Sequence, residues 1–190
     1  MSTRADYTAE EWAAIRRTPA TAAVAMERAS PSGFLGRRRE RKAQERGLAA
    51  VISAYAGIGL VDAIVAAAEE EGRLLDTLRD TDRPLVDEAL ASAAVARRAI
   101  EAKGSREELE AYQISVIGIC EDVAVADQES GHGTLSPAEG ILLQRLAEAL
   151  GRPDYTPGNP DFTPPGRKTR VILVGLDGTE TDQGLGQQRR

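Results

Sequence analysis

Between Ser105 and Gly151 the apolar positions recur twice at three- and four-residue spacing, with a polar loop between the two runs. Ser105 followed by Glu108 makes a capping box, in which the hydroxyl accepts an orphan backbone N–H and the carboxylate reaches back, so a helix starts there. Leu109, Tyr112, Val116, Ile119 or Cys120, and Val123 draw an apolar stripe that Ile114 and Ile117 widen, which predicts a well-buried helix. After the loop Glu129 to Leu135, Ser136-Pro137-Ala138-Glu139 repeats the start signal, with proline at the first helical position where its missing N–H costs nothing. The second helix is expected to turn Ala138, Ile141, Leu142, Leu146, Ala149 and Leu150 inward and Gln144, Arg145 and Glu148 outward. Gly151 stands where a left-handed C-cap is wanted.

Upstream, Thr8 and Glu11 form another capping box, and Trp12, Ile15, Val24 and Met26 suggest an apolar helix face. Pro19 interrupts it, so either one helix stops near Thr18 and a short one runs to Ala29, or a single helix kinks. Ser30-Pro31-Ser32-Gly33 reads as a loop. From Leu48 to Ala68 the chain is nearly all apolar, broken by Ser53, Tyr55 and Asp62. A membrane span fits poorly, because the run is mostly Ala and Gly and a mid-span Asp62 costs roughly 2.5–3.5 kcal/mol on the insertion scale. A central core helix is the better reading. It makes Asp62 a buried charge that is either paired or at a pocket, while Gly57 and Gly59 let another helix approach closely. Leu74, Leu75 and Leu78 predict a short helix before the turn Asp80-Thr81-Asp82. Leu85 to Ala102 predicts a longer one, with Arg97, Arg98 and Lys103 suiting its C-terminal dipole and Gly104 ending it.

The sum is about six helices in a compact all-α bundle over residues 1–151, followed by a Pro/Gly-rich tail over 152–190. Within the tail, Val171, Ile172, Leu173 and Val174 form a short β-prone run without an evident partner inside the domain. Pairing with another chain, a second copy included, or docking in a groove is the functional reading of this interaction tail, and a mostly disordered tail is the plainer and preferred one.

Composition narrows the picture. Apolar residues at 42% are enough for a core, and 31 alanines against two Phe and one Trp favour closely packed helices over a sheet. A net charge of −6 gives no global attraction for nucleic acid or anionic membrane. The single Cys120 excludes an intrachain disulfide and suits a reducing cytoplasm, and with no basic neighbour it reads as an inert buried thiol. No basic region followed by an apolar core opens the chain, so a secretory signal is not expected. One basic cluster stands out: Arg37, Arg38, Arg39, Arg41, Lys42 and Arg46 outnumber Glu40 and Glu45. Clustered Lys and Arg neutralise phosphates of nucleic acid or of the inner membrane face. The plainer reading is a solvated helix face of paired charges, since no aromatic residue is interleaved for base stacking.

His132 is the only histidine, and no G-x-S-x-G, P-loop or G-x-G-x-x-G stretch is present. The remaining constellation is acidic: Glu121, Asp122, Asp127, Glu129, His132 and Glu139 lie on or beside the hairpin loop. Asp127, Glu129 and His132 offer oxygen ligands and one imidazole for a divalent cation, against the alternative of a solvated turn. An EF-hand does not fit, because position five is Gly131, position six His132 and position twelve Ala138. The run HGTLSPAEGILLQRLAEALG, however, resembles the D-G-x-[IL]-S-x-x-E stretch and following helix of TerB-like domains of bacterial tellurite-resistance and stress systems. Gly133, Leu135, Ser136 and Glu139 match it, and His132 replaces the usual aspartate of the surface to which that family's metal binding is ascribed. The resemblance implies an all-helical cytoplasmic domain acting through partners and ions, with no established enzymatic step. The reading as a whole is a non-enzymatic interaction or scaffold protein of a bacterial cytoplasm. Anionic-surface binding through the arginine cluster and divalent-metal binding are its alternatives, and Asp62 with a buried partner would be the seed of an enzyme.

Overall fold

Thr8 accepts the backbone N–H of Glu11 at 3.2 Å while the Glu11 carboxylate accepts that of Thr8 at 2.7 Å, and helix α1 (Ala9–Ala29) begins at this closed box. The computed structural model describes residues 2–29, 54–71, 74–125, 133–157, 171–174 and 180–182. Beyond α1 these hold α2 (Gly59–Glu71), α3 (Leu74–Arg79), α4 (Leu85–Lys103), α5 (Arg106–Val125) and α6 (Pro137–Ala149). A 3-10 turn (Arg4–Asp6) ahead of α1 and three short strands, β1 (Gly133–Leu135), β2 (Val171–Val174) and β3 (Glu180–Asp182), complete the described elements. The chain is an all-α bundle with a small sheet at the α5–α6 hairpin. No helix among the described residues is long and apolar enough to cross a membrane.

Pro19 neither ends α1 nor splits it. A proline in a helix removes the N–H that would bond the carbonyl four residues back, here that of Ile15. Ile15 is fully buried, so its carbonyl has no water to turn to. The Tyr112 hydroxyl, from the middle of α5, donates to that oxygen at 2.9 Å and replaces the missing partner. Burial pushes the Tyr112 phenol well above its ordinary range, an effect that Thr18 offsets in part, so it is a permanent donor. On either side of the proline, Thr18 and Thr21 donate back to the carbonyls of Ala14 and Arg17 at 2.7 and 3.0 Å.

Alanine then sets the packing. Ala22, Ala23 and Ala25 of α1 and Ala89, Ala93, Ala96 and Ala99 of α4 are buried, and α1 lies along α4 more extensively than along any other described element. Small side chains on both partners allow that close approach, as the composition implied. At its C-terminal end α1 holds α3 through charge. Glu27 takes two bonds from Arg79 at 2.6 and 3.1 Å, and Arg28 donates to the carbonyls of Leu78, Arg79, Thr81 and Arg83. Arg28 thereby satisfies carbonyls that the end of α3 leaves open. Helix α5 is the centre of the bundle, buried without interruption from Ala111 to Glu121. The core reaches past Gly151 to Tyr155, 2% exposed.

Three expectations need correction. The apolar run Leu48 to Ala68 is not one helix, because Gly57 takes a left-handed φ of 89° and α2 starts afresh at Gly59. Asp62 is accordingly no buried charge. It is exposed in the first turn of α2, where its two oxygens accept the Gly57 N–H at 3.2 and 3.1 Å and favour the positive end of the helix dipole. Finally, β2 does have partners inside the domain: it runs parallel to β1 in the register Gly133↔Val171 to Leu135↔Leu173, and antiparallel to β3.

Candidate functional site

The α5–α6 hairpin is held at every corner by polar contacts that its own sequence specifies. At the start of α5, Ser105 and Glu108 close their box with bonds of 2.8 and 3.1 Å. Glu108 is buried and also takes the Ser2 backbone N–H at 2.7 Å and the Ser2 hydroxyl at 3.1 Å, so the cap doubles as the seat of the N-terminal segment. Burial alone would raise the Glu108 carboxyl. The bonds from Ser105 and Ser2 outweigh it and hold the group below its ordinary value.

At the far end, Ser136 and Glu139 form the second box, at 2.7 and 3.3 Å, with Pro137 in the first turn of α6. Helix α6 closes in a Schellman motif. Gly151 adopts φ 85°, its N–H bonds the Glu148 carbonyl at 2.9 Å, and the Arg152 N–H bonds that of Ala147 at 2.8 Å. The Leu150 carbonyl takes a side-chain bond of 2.7 Å from Gln113 of α5, which ties the two helices together at the same point. One turn before α5 ends, Glu121 is wholly buried and accepts the Tyr155 hydroxyl at 2.7 Å. This pair fastens the segment after α6 onto α5. Beside it, burial and then the Glu121 charge push the Cys120 thiol far up, so thiolate is scarce at neutral pH and Cys120 acts in packing.

The face that α6 turns to solvent differs from the expected one by about one residue. Glu139, Leu142, Leu143, Leu146 and Ala147 face the core, whereas Ala138 is exposed and Ile141 is 60% exposed. Glu139, whose carboxylate closes the cap, is itself buried, and Leu143, with no exposure, takes the inward position. Pro137, Ala138 and Ile141 together form an outward apolar strip on the first half of α6, followed by Arg145 and Glu148. Among the described residues Ile141 is the exposed large hydrophobic side chain.

Of the residues singled out in the sequence, Asp127, Glu129 and His132 lie outside the described residues, as do Arg37, Arg38, Arg39, Arg41, Lys42 and Arg46. Glu121 and Glu139, at either end of the acidic loop, are engaged by Tyr155 and by the α6 cap. Among the described residues no three His, Cys, Asp or Glu side chains are grouped to hold a metal. Val171 to Val174 stand in the middle of the sheet, with β1 on one side and β3 on the other. Sequence reasoning missed the Glu121–Tyr155 pair. Its signal was a carboxylate one helical turn from Ile117 and three residues before Ala124, on a helix apolar on all sides. Tyr155 gave none, since it stands in proline-rich chain without a periodic context. No model of a known protein family matches this chain, and neither does any curated protein or solved structure.

Proposed function

We propose that this chain is a non-enzymatic helical interaction module of a bacterial cytoplasm, and that it engages a protein partner through the outward face of α6. The observation that carries the reading is Ile141, 60% exposed on a helix whose opposite face is fixed in the core by a capping box and a Schellman motif. A rigid helix with an exposed branched aliphatic side chain, preceded by Pro137 and Ala138 and followed by Arg145 and Glu148, has an apolar anchor beside a polar rim. That is the composition of a binding surface, in which one or two anchors carry most of the energy. The TerB-like and stress-associated reading is part of the same proposal. Two of the residues that carry it, Ser136 and Glu139, form the cap at which the helix bearing this face begins.

The test places a photo-crosslinking amino acid at position 141 and, as a control, at the exposed Ala66 of α2. A discrete adduct from position 141 that is absent from position 66 is expected. Ile141→Asp in the unlabelled protein should compete poorly for that partner while its melting point stays within about 2 °C, the range of a neutral surface change. Equal labelling from both positions, or none, would remove α6 as the binding face.

A further inference from the structure

We infer that the turn closing α3 is a cation-binding site for guanidinium-type cations, and that the Arg28 side chain is its tethered occupant. The site lies apart from the α6 face and does not depend on it.

Leu78 and Arg79 end α3, and a helix C-terminus leaves its last carbonyls without intrahelical donors and carries partial negative charge. Asp80, Thr81, Asp82 and Arg83 then turn the chain, and Pro84, which caps α4, has no N–H to give back to the turn. Among the described residues, no backbone bond outside the helices ends on the carbonyl of Leu78, Arg79, Thr81 or Arg83. All four oxygens meet Arg28 instead. Its Nη1 donates to Arg83 at 2.9 Å, and its Nη2 to Leu78 and Arg79 at 3.1 and 3.3 Å and to Thr81. Nη2 carries two hydrogens and faces three oxygens. One-to-one hydrogen bonding does not account for that number, whereas carbonyl dipoles gathered around a positive charge do, as in the carbonyl rings that hold bound cations.

The neighbouring charges support the same assignment. Arg79 is taken up by Glu27 at 2.6 and 3.1 Å, and Arg83 lies 3.6 Å from Glu88, so both cations of the turn have carboxylates of their own. Asp80 and Asp82, both exposed, add negative charge to the turn that Arg28 enters. A planar guanidinium suits oxygens spread over several residues, because its donors lie in a fixed fork. Arg28 is exposed, so the site opens to solvent and a free cation can enter once that side chain is removed. In the natural chain the tether keeps the local concentration of the guanidinium high, and the site stays filled.

The test uses the full-length chain carrying Arg28→Ala, Arg28→Gln or Arg28→Lys, with methylguanidinium chloride as the probe. Arg28→Ala and Arg28→Gln should melt several degrees below the wild type, and Arg28→Lys between them and the wild type, because an ammonium keeps the charge and loses the fork. In Arg28→Ala, methylguanidinium near its dissociation constant should raise Tm by about 1–2 °C over the same concentration of sodium chloride. It should also shift the backbone amide resonances of Asp80 to Arg83 saturably. The wild type, whose site is filled, should show neither effect. Should Arg28→Ala fail to fold, Arg28→Gln carries the same titration. An Arg28→Gln chain that melts with the wild type would overturn the inference, since the turn would then need no positive charge. So would the absence of a saturable shift in the neutral variants, or a shift of equal size in the wild type.

Discussion

Tyr112→Phe removes one oxygen from the centre of the bundle and leaves the Ile15 carbonyl without the donor that stands in for the N–H of Pro19. Both residues are almost fully buried, at 1% and 0% exposure, so water does not reach the vacated site. Leaving a buried acceptor unsatisfied costs about 1–3 kcal/mol, and the phenyl ring retains the packing, so about 2 kcal/mol is the expected loss. For a chain of this size that lowers Tm by about 4–8 °C. Pro19→Ala restores an N–H at position 19 that can bond Ile15 from within the helix. In that background Tyr112→Phe should cost under about 1 kcal/mol, which gives a coupling of about 1–2 kcal/mol between two residues far apart in sequence. Urea unfolding of the wild type, both single variants and the double variant, at constant m-value, measures the cycle. Equal costs of Tyr112→Phe in the two backgrounds would refute the argument that the tyrosine repairs the proline.

Three further outcomes follow from the same contacts. Gly151→Ala should cost about 1–2 kcal/mol from the left-handed φ of 85°, with more from a Cβ placed 2.7 Å from the Arg97 Cδ, whereas Gly140→Ala, where a Cβ meets nothing, should be neutral or stabilising by thermal melting. The orientation of α6 is checked by Leu143→Ala against Ile141→Ala in urea unfolding: the first should cost about 2–5 kcal/mol and the second under about 1, and the reverse order would restore the inward Ile141 read from the pattern. Glu108 has a folded pKa below its ordinary 4.5, so it contributes stability above that value and loses it as pH falls through the depressed folded value. Melting points between pH 7 and pH 3 should therefore fall less steeply for Glu108→Gln, which starts lower at pH 7, than for the wild type.

Much of the fold is legible locally because its signals are local. The boxes Thr8/Glu11, Ser105/Glu108 and Ser136/Glu139 each use a hydroxyl and a carboxylate three residues apart, so sequence alone placed the starts of α1, α5 and α6. Gly151 likewise marks the end of α6, since only a residue without a Cβ enters the left-handed region at little cost. Alanine content pointed to a helical class with closely packed helices, and the structure made α1 and α4 the pair in which buried alanines meet.

What tertiary structure decided are the cases in which a distant group overrules a local preference. Pro19 signals a break, and α1 continues because Tyr112 arrives from α5 with a replacement donor. Gly57 is conformationally permissive in any sequence, and only the structure shows that it turns left-handed and donates its N–H to an exposed Asp62. The α6 periodicity admits two neighbouring phases of the apolar face, and docking against α4, α5 and α1 selects the one that buries Leu143 and exposes Ile141. Tyr155 finds Glu121, and β2 finds β1, across long stretches of chain that no local pattern spans. Spacing and caps are properties of neighbouring residues and are written in the sequence; the partners of buried polar atoms and strand edges exist only once the helices have met.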